Sequence, residues 1–97
     1  MTNLTSATML ARSATVLAQQ VKRDDPTVVL LNPTNGEYYT LEAVGSRVWQ
    51  LCDGTRNVGE MVAILSQEFE ASSEEIEGDV LDLMKELVDE GLVQILP

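Results

Sequence analysis

The 97-residue sequence predicts an α+β domain in which a three-stranded antiparallel sheet is followed by three helices. Apolar residues come in short β-branched or alternating runs as far as Leu41, and from Glu42 onward they recur with helical spacing. The pair Asn35-Gly36 separates two of the short runs and favours the positive-φ turn of a β-hairpin. The length fits one folded unit, residues 13–97, preceded by a flexible N-terminal tail, residues 1–12.

The three strands are predicted at residues 13–21, 27–31 and 37–41. The first alternates loosely, the second is short and β-branched, and the third returns after the turn, so together they form a meander. The last strand is an edge, on which Tyr38 and Tyr39 face opposite sides of the sheet. Its only charge is Glu37, so this edge is either covered by the protein itself or open to a strand from a partner.

The three helices are each marked by an apolar stripe and by terminal signals. The first stops at Asp53-Gly54, and the third ends near Gly91. Asn57 and Ser72 are the predicted N-caps of the second and third helices, because each is followed three residues later by glutamate. The apolar segment 92–96 must then dock on the rest of the domain. Strands followed by three helices make a winged-helix-like module with its strands placed first.

The third helix has an apolar arc wider than one packing face needs. A core stripe within about 60° consists of Ile76, Val80, Leu83 and Leu87. A flank displaced by about another 80–100° consists of Leu81, Met84 and Val88. Either the helix packs between two layers, or the flank is open to a partner, and periodicity alone leaves both open. Methionine on the flank favours an adaptable binding surface.

Composition excludes several classes of function. The chain has 16 acidic residues, 6 basic residues and no histidine, for a formal charge of −10. Such a surface repels nucleic acid and anionic lipid, and no apolar run approaches the roughly 20 residues of a membrane span. Without histidine or a nucleophile–base pair, we expect no catalytic residue, no metal and no cofactor, and hence no enzyme. The single cysteine, Cys52, is expected to be an inert core thiol in a reducing cytoplasm.

Several sequence stretches carry a resemblance to a known family. LCDGTR at 51–56 and VGEMV at 58–62 resemble the LCDG-x-R-(T)V-x-EIV stretch of PqqD-like proteins. LLN at 30–32, GEYYTL at 36–41 and VGSRVW at 44–49 are similar to that family's hairpin and first helix. DVL at 79–81 and LVDEGLV at 87–93 resemble its C-terminal part. The order and spacing of these stretches identify residues 13–97 as a PqqD-like peptide recognition domain.

The resemblance implies a fold and a function. PqqD-like proteins are winged-helix-like recognition elements of pathways that modify ribosomally made peptides. They bind the leader of a precursor peptide as an added strand, between the third strand and the third helix. They then present it to a modifying enzyme, often a radical SAM enzyme, or to a leader peptidase. A non-catalytic adaptor is therefore expected, and its tyrosine pair is more similar to members from lasso-peptide and other maturation clusters.

The resemblance joins the edge strand and the helix flank into one expected leader-peptide site. Backbone pairing would run along the strand, the flank would provide side-chain pockets, and Lys85 would meet an acidic leader residue. The expected site residues are Glu37, Tyr38, Tyr39, Thr40, Leu41, Leu81, Met84, Lys85 and Val88. The alternative function is a winged-helix regulatory or nucleic-acid-binding module. An exposed edge strand also permits a homodimer, swapped or edge to edge.

Overall fold

The computed structural model describes residues 4–21 and 24–97. Residues 1–3 of the expected tail lie outside this part of the chain. Within it, strands and helices follow one another in an order that is mixed rather than strictly β-then-α. The elements are β1 Met9–Arg12, β2 Leu17–Val21, β3 Thr27–Asn32, β4 Glu37–Glu42, α1 Val44–Leu51, β5 Asp53–Asn57, α2 Val58–Glu68, α3 Ser73–Asp89 and β6 Val93–Ile95.

The predicted meander is confirmed. β2, β3 and β4 form an antiparallel sheet in that order, and β4 is paired only with β3 among the described strands. The first strand begins at Leu17 rather than at Ser13, since the Val16 N–H closes a turn on the Ser13 carbonyl at 3.3 Å. The hairpin turns at Gly36, whose φ of 73° is the left-handed conformation expected of the Asn-Gly pair.

The three helices are confirmed, together with the predicted N-terminal signals of α2 and α3. Asn57 Oδ1 accepts a hydrogen bond from the Glu60 N–H at 2.8 Å, and Glu60 Oε1 accepts one from the Asn57 N–H at 3.0 Å. This reciprocal pair satisfies two backbone donors at the start of α2. At the start of α3, Ser72 Oγ accepts from the Glu75 N–H at 3.3 Å. None of the described helices is long and apolar enough to cross a bilayer.

A second sheet, with strand order β5-β1-β6, was not predicted. β1 lies within residues 1–12, so the expectation of a flexible tail is wrong for Met9–Arg12. Two antiparallel neighbours pair with this strand, and its Leu10 side chain is only 1% exposed. Arg12 fixes its end, because the guanidinium donates hydrogen bonds of 3.0 Å to the carbonyls of Trp49 and Gln50 at the C-terminus of α1. β6 is where the apolar C-terminal segment docks.

One hydrophobic core connects both sheets and all three helices. It includes Leu10 of β1, Val28 and Leu30 of β3, and Trp49, which is 5% exposed. Cys52 is fully buried in this core, and desolvation raises the pKa of its thiol to about 12. The thiol therefore stays protonated at neutral pH, as an inert core residue requires.

Candidate functional site: the groove between β4 and α3

β4 and the C-terminal half of α3 lie side by side and run in opposite directions. Near one end, Tyr39 Oη is 2.7 Å from Glu90 Oε2. Near the other, Leu41 and Leu83 meet at Gly45, where an added Cβ would lie 3.5 Å from Leu41 Cβ and 3.7 Å from Leu83 Cδ2. These two contacts mark a candidate groove, which has Leu41 and Leu83 at its floor and the unpaired edge of β4 along one side.

The hairpin is held against the end of α3 by a buried amide. Asn32, which is 7% exposed, donates a hydrogen bond from Nδ2 to the Glu90 carbonyl at 3.2 Å. Its Oδ1 accepts from the Thr34 N–H at 3.0 Å, so the same side chain also shapes the turn. One residue thus ties the hairpin to the end of α3.

The open edge of β4 has the properties of a strand acceptor. An antiparallel edge strand directs about half of its N–H and C=O groups away from its single neighbour. Glu37, Tyr38, Thr40 and Glu42 are exposed, whereas Tyr39 and Leu41 are half-buried and face the core. The two tyrosines are therefore divided as predicted, and Tyr38 is 69% exposed. A peptide in extended conformation can pair with this edge.

The Tyr39 hydroxyl lies between two carboxylates. Its oxygen is 2.7 Å from Glu37 Oε2 and 2.7 Å from Glu90 Oε2, and a hydroxyl has one hydrogen to donate. Hydrogen bonding to Glu37, and then to Glu90, raises the pKa of Tyr39 well above its usual range. The hydroxyl therefore stays neutral. It donates its hydrogen to one carboxylate at a time, and the other carboxylate then receives no hydrogen bond from it. This end of the groove is an electronegative position suited to a basic or neutral group.

The side of α3 that faces β4 is set by Leu83. At 100° per residue, Glu90, Asp79 and Glu86 lie within about 60° of Leu83 on the side away from the core. All three are exposed, whereas Leu83 is half-buried and packs on the core. An apolar floor at Leu41 and Leu83 is thus bordered by acidic side chains from both the strand and the helix.

The expectation is wrong for Met84, whereas for Leu81, Lys85 and Val88 it remains a prediction. Met84 is fully buried and belongs to the core face of α3, so it provides no open pocket. Leu81, Lys85 and Val88 lie about 140–160° from Leu83 around the helix, which directs them away from β4. Leu81 and Val88 pack partly buried against the core, and Lys85 is exposed. The structure brings Tyr39 to Glu37 and Glu90, and it brings Leu41 and Leu83 to Gly45.

Periodicity does not single out Leu83, Glu86 and Glu90 as candidate site residues, for an identifiable reason. Periodicity gives the width of an apolar arc, but an arc has two margins, and nothing local tells which margin faces the sheet. Periodicity places Leu83 in the core stripe and Met84 on the open flank, whereas the structure buries Met84 fully and leaves Leu83 half-buried. The sequence does contain one signal for this side of the helix. Glu90 lies at the end of the third helix, and the hairpin carries a tyrosine.

Comparisons with known proteins agree with this architecture. The family model of coenzyme PQQ synthesis protein D (PqqD) matches residues 27–93, which include β3, β4 and α3. The chain belongs to the PqqD family. A PqqA binding protein of Gluconobacter oxydans (strain 621H) is 36% identical over 55 residues, or 57% of this chain and 57% of that relative's length. Both sides of the groove therefore lie within the part of the chain that is typical of the PqqD family.

A solved structure extends the likeness to three dimensions. The chain described as TbiB1 in complex with the TbiA(beta) leader peptide matches with a TM-score of 0.74 and 31% sequence identity. The match covers 87% of this PqqD-family chain and 94% of that chain. The fold described above is thus close to that of a protein solved with a leader peptide.

Proposed function

We propose that this chain is a non-catalytic peptide-binding protein that receives the leader of a ribosomally made precursor peptide as an added strand and presents that peptide to a modifying enzyme. The observation that carries the proposal is the unpaired β4 edge beside the groove floored by Leu41 and Leu83. The PqqA binding protein and the leader complex of TbiB1 support it, because both are named for peptide partners.

In this mechanism affinity and selectivity come from different groups. Main-chain hydrogen bonds to β4 hold the leader whatever its sequence, and alternate side chains determine which leader is bound. Leader residues that point inward meet Leu41, Leu83 and the ring of Tyr39. The residues between them point to the other side of the sheet, beside Tyr38 and Thr40. We infer a leader strand with apolar residues at every second position.

The charge around the groove selects further. The groove is bordered by Glu37, Glu86 and Glu90. A leader residue beside them can be basic or neutral, because an acidic one would be repelled. The same acidic surface disfavours the nucleic-acid alternative, because α3 would be the recognition helix and begins with Glu74 and Glu75. A role in peptide binding is compatible with this charge, and a role in reading phosphates is not.

The chemistry is assigned to the partner. The sequence has no histidine, and its one thiol, Cys52, is buried and protonated. We infer that a radical SAM enzyme or a leader peptidase acts on the core peptide while this chain holds the leader. The division fits a groove of apolar and acidic side chains in which the Tyr39 hydroxyl stays neutral.

Two matched variants of α3 test the position of the groove. Leu83→Gln replaces an apolar side chain at the groove floor, and Leu81→Gln makes the same change on the far side of the helix. Both leucines are half-buried, and glutamine has a helix propensity close to that of leucine. We expect Leu83→Gln to raise the Kd for the leader about tenfold, from a loss of roughly 1.4 kcal/mol, and Leu81→Gln to leave it nearly unchanged.

The measurement is a fluorescence-anisotropy titration with a labelled peptide made from the leader of a precursor encoded beside the gene. Circular dichroism checks that both variants keep their helices. If Leu81→Gln weakens binding and Leu83→Gln does not, the peptide lies on the side first expected from the sequence. If neither does, strand addition in this groove is wrong.

A further inference from the structure

Two neighbouring rows on the outer face of the meander, which points away from the core, are uncharged and partly apolar, and the row after them ends in the exposed Glu42. The register places Leu17, Leu31 and Tyr38 directly opposite one another across β2, β3 and β4. Leu17 is 59% exposed and Tyr38 is 69% exposed. The next row on this face consists of Gln19, Val29 and Thr40. We call these six residues the outer face.

The outer face contains both a projection and a recess. A concavity of about 200 Å³ is lined by Leu17, Ala18, Gln19, Val29, Leu31 and Tyr38. An apolar cavity of about 150 Å³ is large enough to bind benzene, so this recess has room for an aromatic ring. Tyr38 lines it and is largely exposed. A surface with its own ring and its own recess is complementary to a second copy related by a two-fold axis.

We propose that the outer face is a self-association surface, on which two copies of this chain pack sheet against sheet with Tyr38 of each copy in the recess of the other. The distribution of charge favours a second copy at this face. Residues 42–97 contain thirteen acidic and three basic residues, whereas residues 1–41 contain three of each and sum to zero. Contact through the helical half would bring acidic surfaces together, and contact through the outer face keeps them apart.

The size of the face sets the strength of the dimer. Three strands about 4.8 Å apart and five residues long at about 3.4 Å each cover roughly 240 Å². Stable interfaces bury about 800 Å² per partner, so the dimer is weak and depends on protein concentration. Salt should strengthen it, because screening reduces the repulsion between two chains that each carry a charge of −10.

Sheet-against-sheet packing leaves the edge of β4 free. The dimer proposed here therefore accepts one leader in each copy, and a leader does not dissociate it. A dimer formed edge to edge would use the backbone groups of β4, and a leader would compete with it. Adding leader peptide thus distinguishes the two dimers experimentally. The proposed self-association does not depend on leader binding.

Sedimentation velocity from micromolar to near-millimolar protein tests the proposal. Leu17→Lys places a charge on the outer face, and Gln20→Lys adds the same charge to the same strand on its other face. Both positions are exposed, so both variants should fold, which circular dichroism checks. We expect the parent and Gln20→Lys to dimerise as concentration rises, and Leu17→Lys to weaken the dimer by at least about tenfold.

Three results would overturn the inference. The first is a parent protein that stays monomeric at the highest concentration, and the second is a Leu17→Lys variant that dimerises as well as Gln20→Lys. The third is a dimer that dissociates when leader peptide is added, which would assign the contact to the β4 edge. Persistence of the parent dimer with leader bound, and its loss in Leu17→Lys, supports the outer face.

Discussion

Tyr39 connects the sheet, the hairpin and the third helix through a single atom. Its ring packs against the core, and its hydroxyl reaches Glu37 on its own strand and Glu90 at the end of α3. A neutral hydroxyl donating to a carboxylate makes a stronger hydrogen bond than one between two neutral groups. The residue therefore closes one end of the groove and makes that end electronegative.

Ionisation of Tyr39 provides a direct test of this arrangement. In a Tyr38→Phe background Tyr39 is the remaining tyrosine, so alkaline titration of tyrosinate absorbance follows it alone. Its pKa is raised by the two carboxylates, so the neutral form should persist above the ordinary value of about 10. Adding Glu37→Gln should move the midpoint back toward that value, because Glu37 is the larger cause of the shift.

The control is the same titration in urea, where both variants should ionise near the ordinary value. Far-UV circular dichroism over the same pH range shows whether the folded state is being titrated. A folded protein in which Glu37→Gln leaves the midpoint unchanged would contradict the hydrogen bond between Tyr39 and Glu37. The neutral form is favoured by the fold, so this contribution to stability is complete below the ordinary pKa and is lost at higher pH.

At the scale of the elements, the junction between β4 and α1 contains a strained residue. Ala43, the N-cap of α1, has φ 50° and ψ −115°. These angles are close to those of the first central residue of a type II′ turn, where glycine predominates. The Ala43 N–H donates to the Pro26 carbonyl at 2.8 Å, which holds the strand end in place. Strain is thus located where the edge strand turns into the helix.

Ala43→Gly should stabilise the fold. Glycine adopts positive φ without the steric cost of a Cβ, and relief of that cost outweighs the added freedom of the unfolded chain by about 1 kcal/mol. Ala63→Gly, at an exposed position inside α2, should destabilise by roughly 0.5–1 kcal/mol. Urea unfolding measures both. Destabilisation by Ala43→Gly, equal to that of the control, would show that Ala43 is not strained.

The elements also show what local sequence can and cannot predict. The Asn35-Gly36 turn and the capping residues Asn57 and Ser72 act through neighbours a few residues away, and each was predicted correctly. β1, β5 and β6 were missed because they are short and become strands only by pairing across the chain. The side of α3 that faces β4 was missed for the same reason, because it depends on where a distant strand lies.

At the scale of the whole molecule, net charge is distributed unevenly between the two halves of the chain. The helical half carries the entire net charge of −10, and the meander is nearly neutral. The proposed groove lies where the two meet, with Glu86 and Glu90 on its helical side. Leader binding and self-association should therefore respond to salt in opposite directions. Screening weakens the attraction between a basic leader residue and the groove, so leader binding weakens as salt rises. It also weakens the repulsion between two acidic chains, so self-association strengthens.

Salt dependence of leader binding tests this division. One exposed pair contributes about 0.2–1 kcal/mol, so screening a pair at the groove should raise the Kd up to about fivefold for a leader with a basic residue there. Glu86→Gln should remove most of that dependence. Glu77→Gln, also exposed on α3 but about 120° from Leu83, should leave it intact. An equal effect of the two variants would place the basic residue elsewhere.

The sequence by itself determined the type of fold, the edge strand, the separation of charge and the resemblance to PqqD-like proteins. These properties depend on residue type and on spacing along the chain, which are local quantities. Only the tertiary structure decided that Met84 is core, that Leu83 lies at the groove, and that Glu37 and Glu90 meet at Tyr39. These contacts join residues far apart in sequence, and packing of the helices on the sheet selects one margin of an apolar arc that periodicity leaves equivalent.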